Sequence, residues 1–140
     1  MAPEAAERIA IESDGDVVTA RQRARTLAIE LDMPSTDQTL LATAISEIAR
    51  NITTYATGGR GEVVIDVVRD GRGRQGVRVV ARDEGPGIAD LEQALTDGYT
   101  TGGGLGLGLP GARRLVDEFD IQTGPGQGTV VTLIKWAQRG

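Results

Sequence analysis

The residues of this chain best suited to chemistry are an acidic residue in one glycine-rich stretch and a glycine run that follows it. The first stretch is Asp83-Glu-Gly-Pro-Gly-Ile88, and the second is the glycine and leucine run over 102–111. Glycine lacks a β-carbon, so backbone N–H groups in such a run can approach an anion closely. A helix that begins there adds unpaired N–H donors. The combination predicts a polyphosphate-binding segment, with Asp83 placed to recognise a base beside it.

A second pair of polar residues, Glu47 and Asn51, lies in an amphipathic segment. The two are four positions apart and so share one face of a helix, which Tyr55 continues. Periodicity alone favours an ordinary solvated face as the explanation. The motifs elsewhere in the chain, described below, favour a functional role for Glu47 and Asn51 instead.

Several familiar phosphate-binding motifs are excluded. No G-x-x-x-x-G-K-[ST] sequence occurs, so the chain has no P-loop. Gly106, Gly108 and Gly111 match G-x-G-x-x-G, but no expected strand precedes them, as a dinucleotide-binding fold requires. Neither H-R-D nor D-F-G is present, which excludes the common protein-kinase fold.

Composition narrows the function further. The 140 residues contain no cysteine and no histidine, which excludes disulfides, thiolate metal sites and a self-phosphorylated histidine. A net charge of −5 argues against nucleic acid as the main partner. No apolar run reaches the roughly 18 residues of a membrane span, and the acidic N-terminus does not resemble a signal peptide. We expect a cytoplasmic protein with neither nucleic acid nor membrane as a partner.

The elements that must position these residues are expected in this order: strand, helix, helix, hairpin, short helix, glycine-rich lid, helix and hairpin. Hydrophobic periodicity and turn residues predict them. The expected ranges are 8–13, 15–31, a helix beginning at Ser35, 62–69 with 77–82, 90–96, 97–104, 105–119, and 120–123 with 128–136.

Hairpin connections keep the later strands antiparallel, so this order does not build a doubly wound parallel sheet. It predicts a single domain over 1–140 of α/β (α+β) class. The architecture is a two-layer sandwich, in which helices cover one face of a mixed, largely antiparallel sheet.

Four features that are weak alone occur in a fixed order, and in that order they resemble the GHKL (Bergerat-fold) ATPase family over almost the whole chain. They are Glu47-x-x-x-Asn51, Asp83-x-Gly85-x-Gly87, the lid with Gly104-Leu105-Gly106-Leu107-Gly108, and Gly128-Thr129. Within the family, residues 43–51, 83–88, 97–115 and 134–136 resemble the serine/threonine switch kinases of the stressosome. The resemblance implies a Bergerat ATP-binding fold with ATP and Mg²⁺ as cofactors.

The resemblance also implies a role for each matching residue. Asn51 would hold Mg²⁺ through its amide oxygen, and Glu47 would be the general base toward an incoming hydroxyl. Asp83 would accept a hydrogen bond from the adenine N6 amine. The other implied ATP contacts come from the glycine turn beneath the base, from backbone N–H groups at the phosphates and from one threonine beside the adenine. They are Gly85, Gly87, Gly104, Leu105, Gly106, Leu107, Gly108 and Thr129.

One expected component is missing from the matching segments. Between Asp83 and Ala112 the chain has no lysine or arginine, although phosphoryl transfer usually needs a cation on the γ-phosphate besides the metal. The open candidates are Arg50, Lys135, Arg113 and a residue of a partner.

The resemblance implies an ATP-dependent serine/threonine protein kinase, and the absence of histidine places the phosphate acceptor on another protein. The implied partners are a STAS-domain substrate, a PP2C-type phosphatase that the released kinase activates, and a stressosome scaffold. The alternative is an anti-sigma factor, a binding module that sequesters a sigma subunit and holds ATP mainly as a structural ligand.

Overall fold

The computed structural model describes residues 6–55, 61–83, 108–123 and 128–137. The short helix expected at 90–96 and the lid expected at 97–104 lie outside these ranges. The described elements, in chain order, are β1 (Glu7–Ile11), α1 (Asp14–Glu30), α2 (Ser35–Tyr55), β2 (Gly61–Arg69), β3 (Gln75–Asp83), α3 (Gly108–Leu115), β4 (Glu118–Thr123) and β5 (Thr129–Trp136). None of these three helices has the length and apolar character needed to cross a membrane.

The five strands form one sheet in the order β1-β2-β3-β5-β4. The three helices pack into one shared core with it, which confirms the expected two-layer sandwich. All four pairings between these strands are antiparallel, so the described sheet lacks the parallel pair that a mixed sheet would contain. The hairpins β2–β3 and β4–β5 account for two pairings, and antiparallel neighbours need no crossover helix.

Helix α2 supplies the centre of the core. Every residue expected on its apolar face is buried: Leu41, Ala44, Ile45, Ile48, Ala49 and Ile52. They pack against alternate residues of the central strands, among them Val63, Ile65, Val79 and Leu133. Burying each large aliphatic side chain stabilises the fold by about 1.5–3 kcal/mol. This packing fixes the rotation of α2 about its axis, and with it the positions of Glu47 and Asn51.

The third helix ends earlier than the sequence pattern indicates, and the strand after it begins earlier. Described α3 ends at Leu115, and β4 begins at Glu118, so Phe119 lies in a strand opposite Leu133. Asp117 ends the helix because its backbone N–H and its carboxylate both bond to β5. The N–H donates to the Ile134 carbonyl at 3.1 Å, and the carboxylate accepts from the Trp136 N–H at 2.7 Å.

Gly61 begins β2 and lies close to both Ile52 of α2 and the backbone of β3. A β-carbon at Gly61 would lie 2.2 Å from the carbonyl oxygen of Arg82 and 2.8 Å from Cγ2 of Ile52. Only a residue without a side chain fits between the helix and the two strands. By contrast, a β-carbon at Gly71, in the β2–β3 turn, would have nothing within 4 Å.

We therefore expect Gly61→Ala to lower the free energy of unfolding by about 1–3 kcal/mol, the usual cost of overpacking. Gly71→Ala is the matched control and should change it by less than about 0.5 kcal/mol. Denaturant unfolding of the two variants and the wild type measures both values. Equal stability of the two variants would show that neither β3 nor α2 constrains this position.

Candidate functional site

Four residues at one end of the sheet form a row across four strands. Gly61 on β2 is directly opposite Asp83 on β3. Asp83 is in turn opposite Thr129 on β5, and Thr129 is opposite Thr123 on β4. Directly opposite residues share a face, with β-carbons about 4.5–5.5 Å apart. The shared face is the helix-covered one, because Ala81, two residues before Asp83, is buried in the core. We call these four residues the sheet-end row.

Hydroxyl groups at the β4 end of the row are hydrogen-bonded to each other. Oγ1 of Thr123 lies 3.0 Å from Oγ1 of Thr129. The Thr123 hydroxyl also donates to the carbonyl oxygen of Gly128 at 3.0 Å. Thr129 is buried. The structure thus places Thr129 beside Asp83, as a shared binding role requires, and adds Thr123 as its neighbour.

The C-terminal half of α2 reaches the same end of the sheet. Ile52 packs against Gly61, the first residue of the row. Asn51 immediately precedes Ile52 and is half-buried, and Glu47 lies one turn earlier, about 6 Å back along the helix axis. The residues predicted from two separate motifs, Glu47 with Asn51 and Asp83 with Thr129, therefore converge on one end of the domain.

The carboxylate of Glu47 lies in a restricted, charged environment. Its side chain is only 10% exposed, and its Oε1 lies 3.3 Å from Nη1 of Arg50, whose side chain is 50% exposed. The two are three residues apart on α2, so Arg50 folds back along the helix surface toward the carboxylate.

The three residues considered as cations for the γ-phosphate lie in different parts of the structure. Lys135 is buried, and its Nζ lies 3.8 Å from Oδ1 of Asp37. Asp37 precedes Glu47 by ten residues, about 15 Å along α2. Lys135 is therefore at the opposite end of the domain and does not belong to the site. Arg113 is exposed on α3, whereas Arg50 contacts Glu47 directly.

The remaining ATP contacts implied by the sequence are only partly described. Gly108 is the first residue of α3 that the structure describes. Gly85 and Gly87 lie outside the described ranges, as does the stretch 104–107. Helix α3 packs against α2, with Leu109 and Ala112 in the common core.

The described residues fit a nucleotide with its metal better than a protein-held metal centre. In the described part of the chain, no three side chains of His, Cys, Asp or Glu cluster at metal-binding distance. A single amide oxygen, from Asn51, suits Mg²⁺ because that ion takes its other ligands from phosphates and water. Asp83 and Thr129 place oxygen acceptors side by side, which suits the amine of a base.

Two contacts of this arrangement were not predicted from the sequence, that of Glu47 with Arg50 and that of Thr123 with Thr129. Opposite charges three positions apart on a helix, as in Glu47 and Arg50, are a local signal that could have indicated their contact. Thr123 and Thr129 flank the final turn, so hairpin pairing could have brought them together. The direction of the hydroxyl contacts depends on Gly128, and no sequence pattern specifies it.

Comparison with known families identifies the fold. Residues 36–139 match the family model described as histidine kinase-, DNA gyrase B- and HSP90-like ATPase. The chain is 47% identical over 128 residues to the serine/threonine-protein kinase RsbT of Bacillus subtilis, covering 91% of this chain and 94% of RsbT. It is also 32% identical over 121 residues to the anti-sigma F factor of Bacillus licheniformis, covering 83% and 81% of the two chains.

Two solved structures share the fold at lower identity. The RsbU and RsbW domains of Rv1364c from Mycobacterium tuberculosis align with a TM-score of 0.60 at 23% identity, over 96% of this chain and 34% of that one. The mycobacterial sensor histidine kinase MprB aligns with a TM-score of 0.56 at 16% identity, over 97% of this chain and all of that one. At these identities the likeness supports the architecture alone.

Proposed function

Because this chain belongs to the histidine kinase-, DNA gyrase B- and HSP90-like (GHKL) ATPase family, we propose that it transfers phosphate from ATP to a serine or threonine of another protein. One observation carries the proposal: α2 brings Glu47 and Asn51 to the sheet end where Asp83 and Thr129 are direct neighbours. The 47% identity to a serine/threonine-protein kinase over nearly the full length of both chains supports the same activity.

The sheet-end row is the proposed adenine site. Asp83 accepts a hydrogen bond from the N6 amine, and Thr129 contributes a second oxygen beside it. Gly85 and Gly87 are further proposed contacts of the nucleotide. A charge-assisted hydrogen bond of this kind contributes about 1.5–3 kcal/mol, so Asp83 should provide a large share of base recognition.

The proposed phosphate site lies toward α2 and the start of α3. Asn51 holds Mg²⁺, which neutralises charge on the phosphates when it is bound. The backbone N–H groups of Gly108 and of 104–107, namely Gly104, Leu105, Gly106 and Leu107, bind phosphate oxygens. Arg50 is the described cation nearest to this chemistry through its contact with Glu47.

Glu47 is the proposed general base. It takes the proton from the substrate hydroxyl as the oxygen approaches the γ-phosphate, which makes that oxygen a better nucleophile. The largely buried position of Glu47 keeps its carboxylate away from bulk water, while Arg50 holds it in one orientation. The phosphate acceptor must therefore dock where its hydroxyl reaches this end of α2.

The proposed partners are those that the resemblance to the stressosome switch kinases implies. A STAS-domain protein is the proposed substrate, a PP2C-type phosphatase is activated by the released kinase, and a stressosome scaffold organises the exchange in the cytoplasm. The second candidate function, sequestration of a sigma subunit, is supported by the 32% identity to an anti-sigma F factor. The higher identity and coverage of the kinase relative favour the first.

Incubation with γ-labelled ATP, Mg²⁺ and candidate STAS-domain proteins tests the proposed function. We expect label on a serine or threonine of one STAS protein, and weaker binding of the phosphorylated form than of the unmodified form. The added phosphate carries about −1.5 to −2 charges, and these would face the phosphates of the nucleotide. Tight binding to a sigma factor, with no label on any STAS protein, would instead favour the anti-sigma function.

A further inference from the structure

Lys135 and Asp37 form a buried ion pair between β5 and the first turn of α2. Nζ of Lys135 lies 3.8 Å from Oδ1 of Asp37, and the two side chains are only 5% and 6% exposed. Removing two charges from water carries a large desolvation cost, and apolar side chains of similar volume often stabilise a fold equally well or better. Stability alone therefore does not explain why charged residues occupy these two positions.

Both α2 and β5 extend from this pair to the candidate site. Thr129 is six residues from Lys135 on β5, about 20 Å at the rise of a strand. Asn51 is fourteen residues from Asp37 on α2, about 21 Å at the rise of a helix. A shift of α2 along its axis relative to β5 would thus move Asn51 relative to Thr129 by the same amount.

The apolar neighbours of α2 restrain such a shift less specifically than a charged pair does. Helix α1 packs against α2, and its buried residues are small: Val17, Ala20, Ala24 and Ala28. Short side chains form a shallow surface with low ridges, and hydrophobic attraction has no direction. A buried charge, in contrast, is satisfied at one position only. Single buried polar residues fix the register of helices in coiled coils in this way.

We propose that Lys135 and Asp37 are positioning residues that set the register of α2 against β5, and with it the distance between Asn51 and the sheet-end row. The inference rests on the roles proposed for Asn51 and Thr129. A displacement of about 1 Å far from the chemistry can lower a rate 10²-fold. Loss of the register should weaken the contact of Asn51 with Mg²⁺ and leave the contacts with the base in place.

Two double variants remove both charges together, so that neither is left alone in the core. Asp37→Leu with Lys135→Met makes the pair apolar, and Asp37→Asn with Lys135→Met keeps the shapes of both side chains. The matched control is Glu7→Gln with Arg23→Gln. It removes an ion pair of 3.5 Å that also joins a strand to a helix, but those side chains are 48% and 60% exposed. Unfolding curves identify which variants are folded.

A distance measurement without nucleotide tests the register directly. The chain has no cysteine, so Thr39→Cys on α2 and Gln122→Cys on β4, both at exposed positions, can carry a pair of spin labels. We expect one narrow distance distribution in the otherwise wild-type protein and in the control. In the charge-free variants it should shift or broaden by about 1.5 Å, one residue of helical rise. An unchanged distribution in every folded charge-free variant would overturn the inference.

Titration with ATP, with and without Mg²⁺, tests whether the register reaches the site. We expect the charge-free variants to bind metal-free ATP as the wild type does. The factor by which Mg²⁺ strengthens binding should fall about tenfold, and single-turnover phosphoryl transfer about 10- to 100-fold. General damage to the fold would weaken ATP binding equally with and without Mg²⁺. That result, or a wild-type Mg²⁺ factor and transfer rate, would overturn the inference.

The two measurements separate this inference from the proposed function. Wild-type protein that binds no ATP would contradict the proposed function, whereas the spin-label distances would still decide the register. Wild-type protein that binds ATP with Mg²⁺ and transfers phosphate, with charge-free variants that behave identically, would contradict only the role of Lys135 and Asp37.

Discussion

Replacing Glu47 with glutamine is expected to leave the binding of ATP with Mg²⁺ nearly intact and to lower phosphoryl transfer by about 10²–10⁴-fold, the usual contribution of a general base. Glutamine keeps the shape of the side chain and an oxygen to which Arg50 can still donate, but it cannot take up a proton. Titration with ATP measures binding, and single-turnover transfer to the acceptor protein measures chemistry.

Two further variants sharpen this result. Glu30→Gln removes the same type of carboxylate from the exposed last residue of α1, which is not part of the proposed site. It should change neither ATP binding nor phosphoryl transfer. Asn51→Ala should weaken the Mg²⁺-dependent part of ATP binding, because it removes the proposed metal ligand. Equal loss of binding in Glu47→Gln and Asn51→Ala would show that the assigned division between base and metal ligand is wrong.

Asp83→Asn should weaken ATP binding by about 10- to 150-fold, which corresponds to the loss of a charge-assisted hydrogen bond of about 1.5–3 kcal/mol. The amide nitrogen that replaces one carboxylate oxygen is a donor and cannot accept from the adenine amine, and the carbonyl oxygen that remains is uncharged and accepts a weaker hydrogen bond. Calorimetric titration measures the change. Asp120→Asn is the matched control. Asp120 is exposed on β4, so this substitution removes the same charge from the same sheet without touching the proposed site.

The nucleotide itself provides a second control for Asp83. With purine riboside triphosphate, which lacks the 6-amino group, the wild type and Asp83→Asn should bind with similar affinity because the contact is absent in both. An unchanged affinity of Asp83→Asn for ATP would exclude Asp83 from the base site. A loss of the same size with both nucleotides would indicate general damage to the pocket instead.

Sequence reasoning was most successful where one element is specified by its own residues. The buried face of α2 follows from helical periodicity, and all six residues expected there are in the core. It was wrong at the end of the third helix, where Leu115 and Phe119 are four apart and extend a helical pattern. Pairing of Phe119 with Leu133 and the bonds from Asp117 to β5 are non-local, and they prevail over that pattern.

In the candidate site, too, local features were predictable from the sequence and non-local contacts were not. The types and order of Glu47, Asn51, Asp83 and Thr129 are readable from the sequence, and the structure brings them to one end of the sheet. The contact of Arg50 with Glu47 is readable as well, because the two are three positions apart on a helix, but the exclusion of Lys135 is not, because it depends on a non-local contact. Lys135 meets Asp37 at the far end of α2, whereas Arg50 meets Glu47.

The burial of Lys135 affects how this protein can be modified. It is the only lysine among the 140 residues, and its side chain is 5% exposed, so the surface cations of the described chain are all arginine. Acetylation, ubiquitin conjugation and amine-directed cross-linking therefore have no accessible lysine side chain while the fold is intact. Conversely, amine labelling of Lys135 would occur only through opening of the core, and its rate would report how often the domain opens.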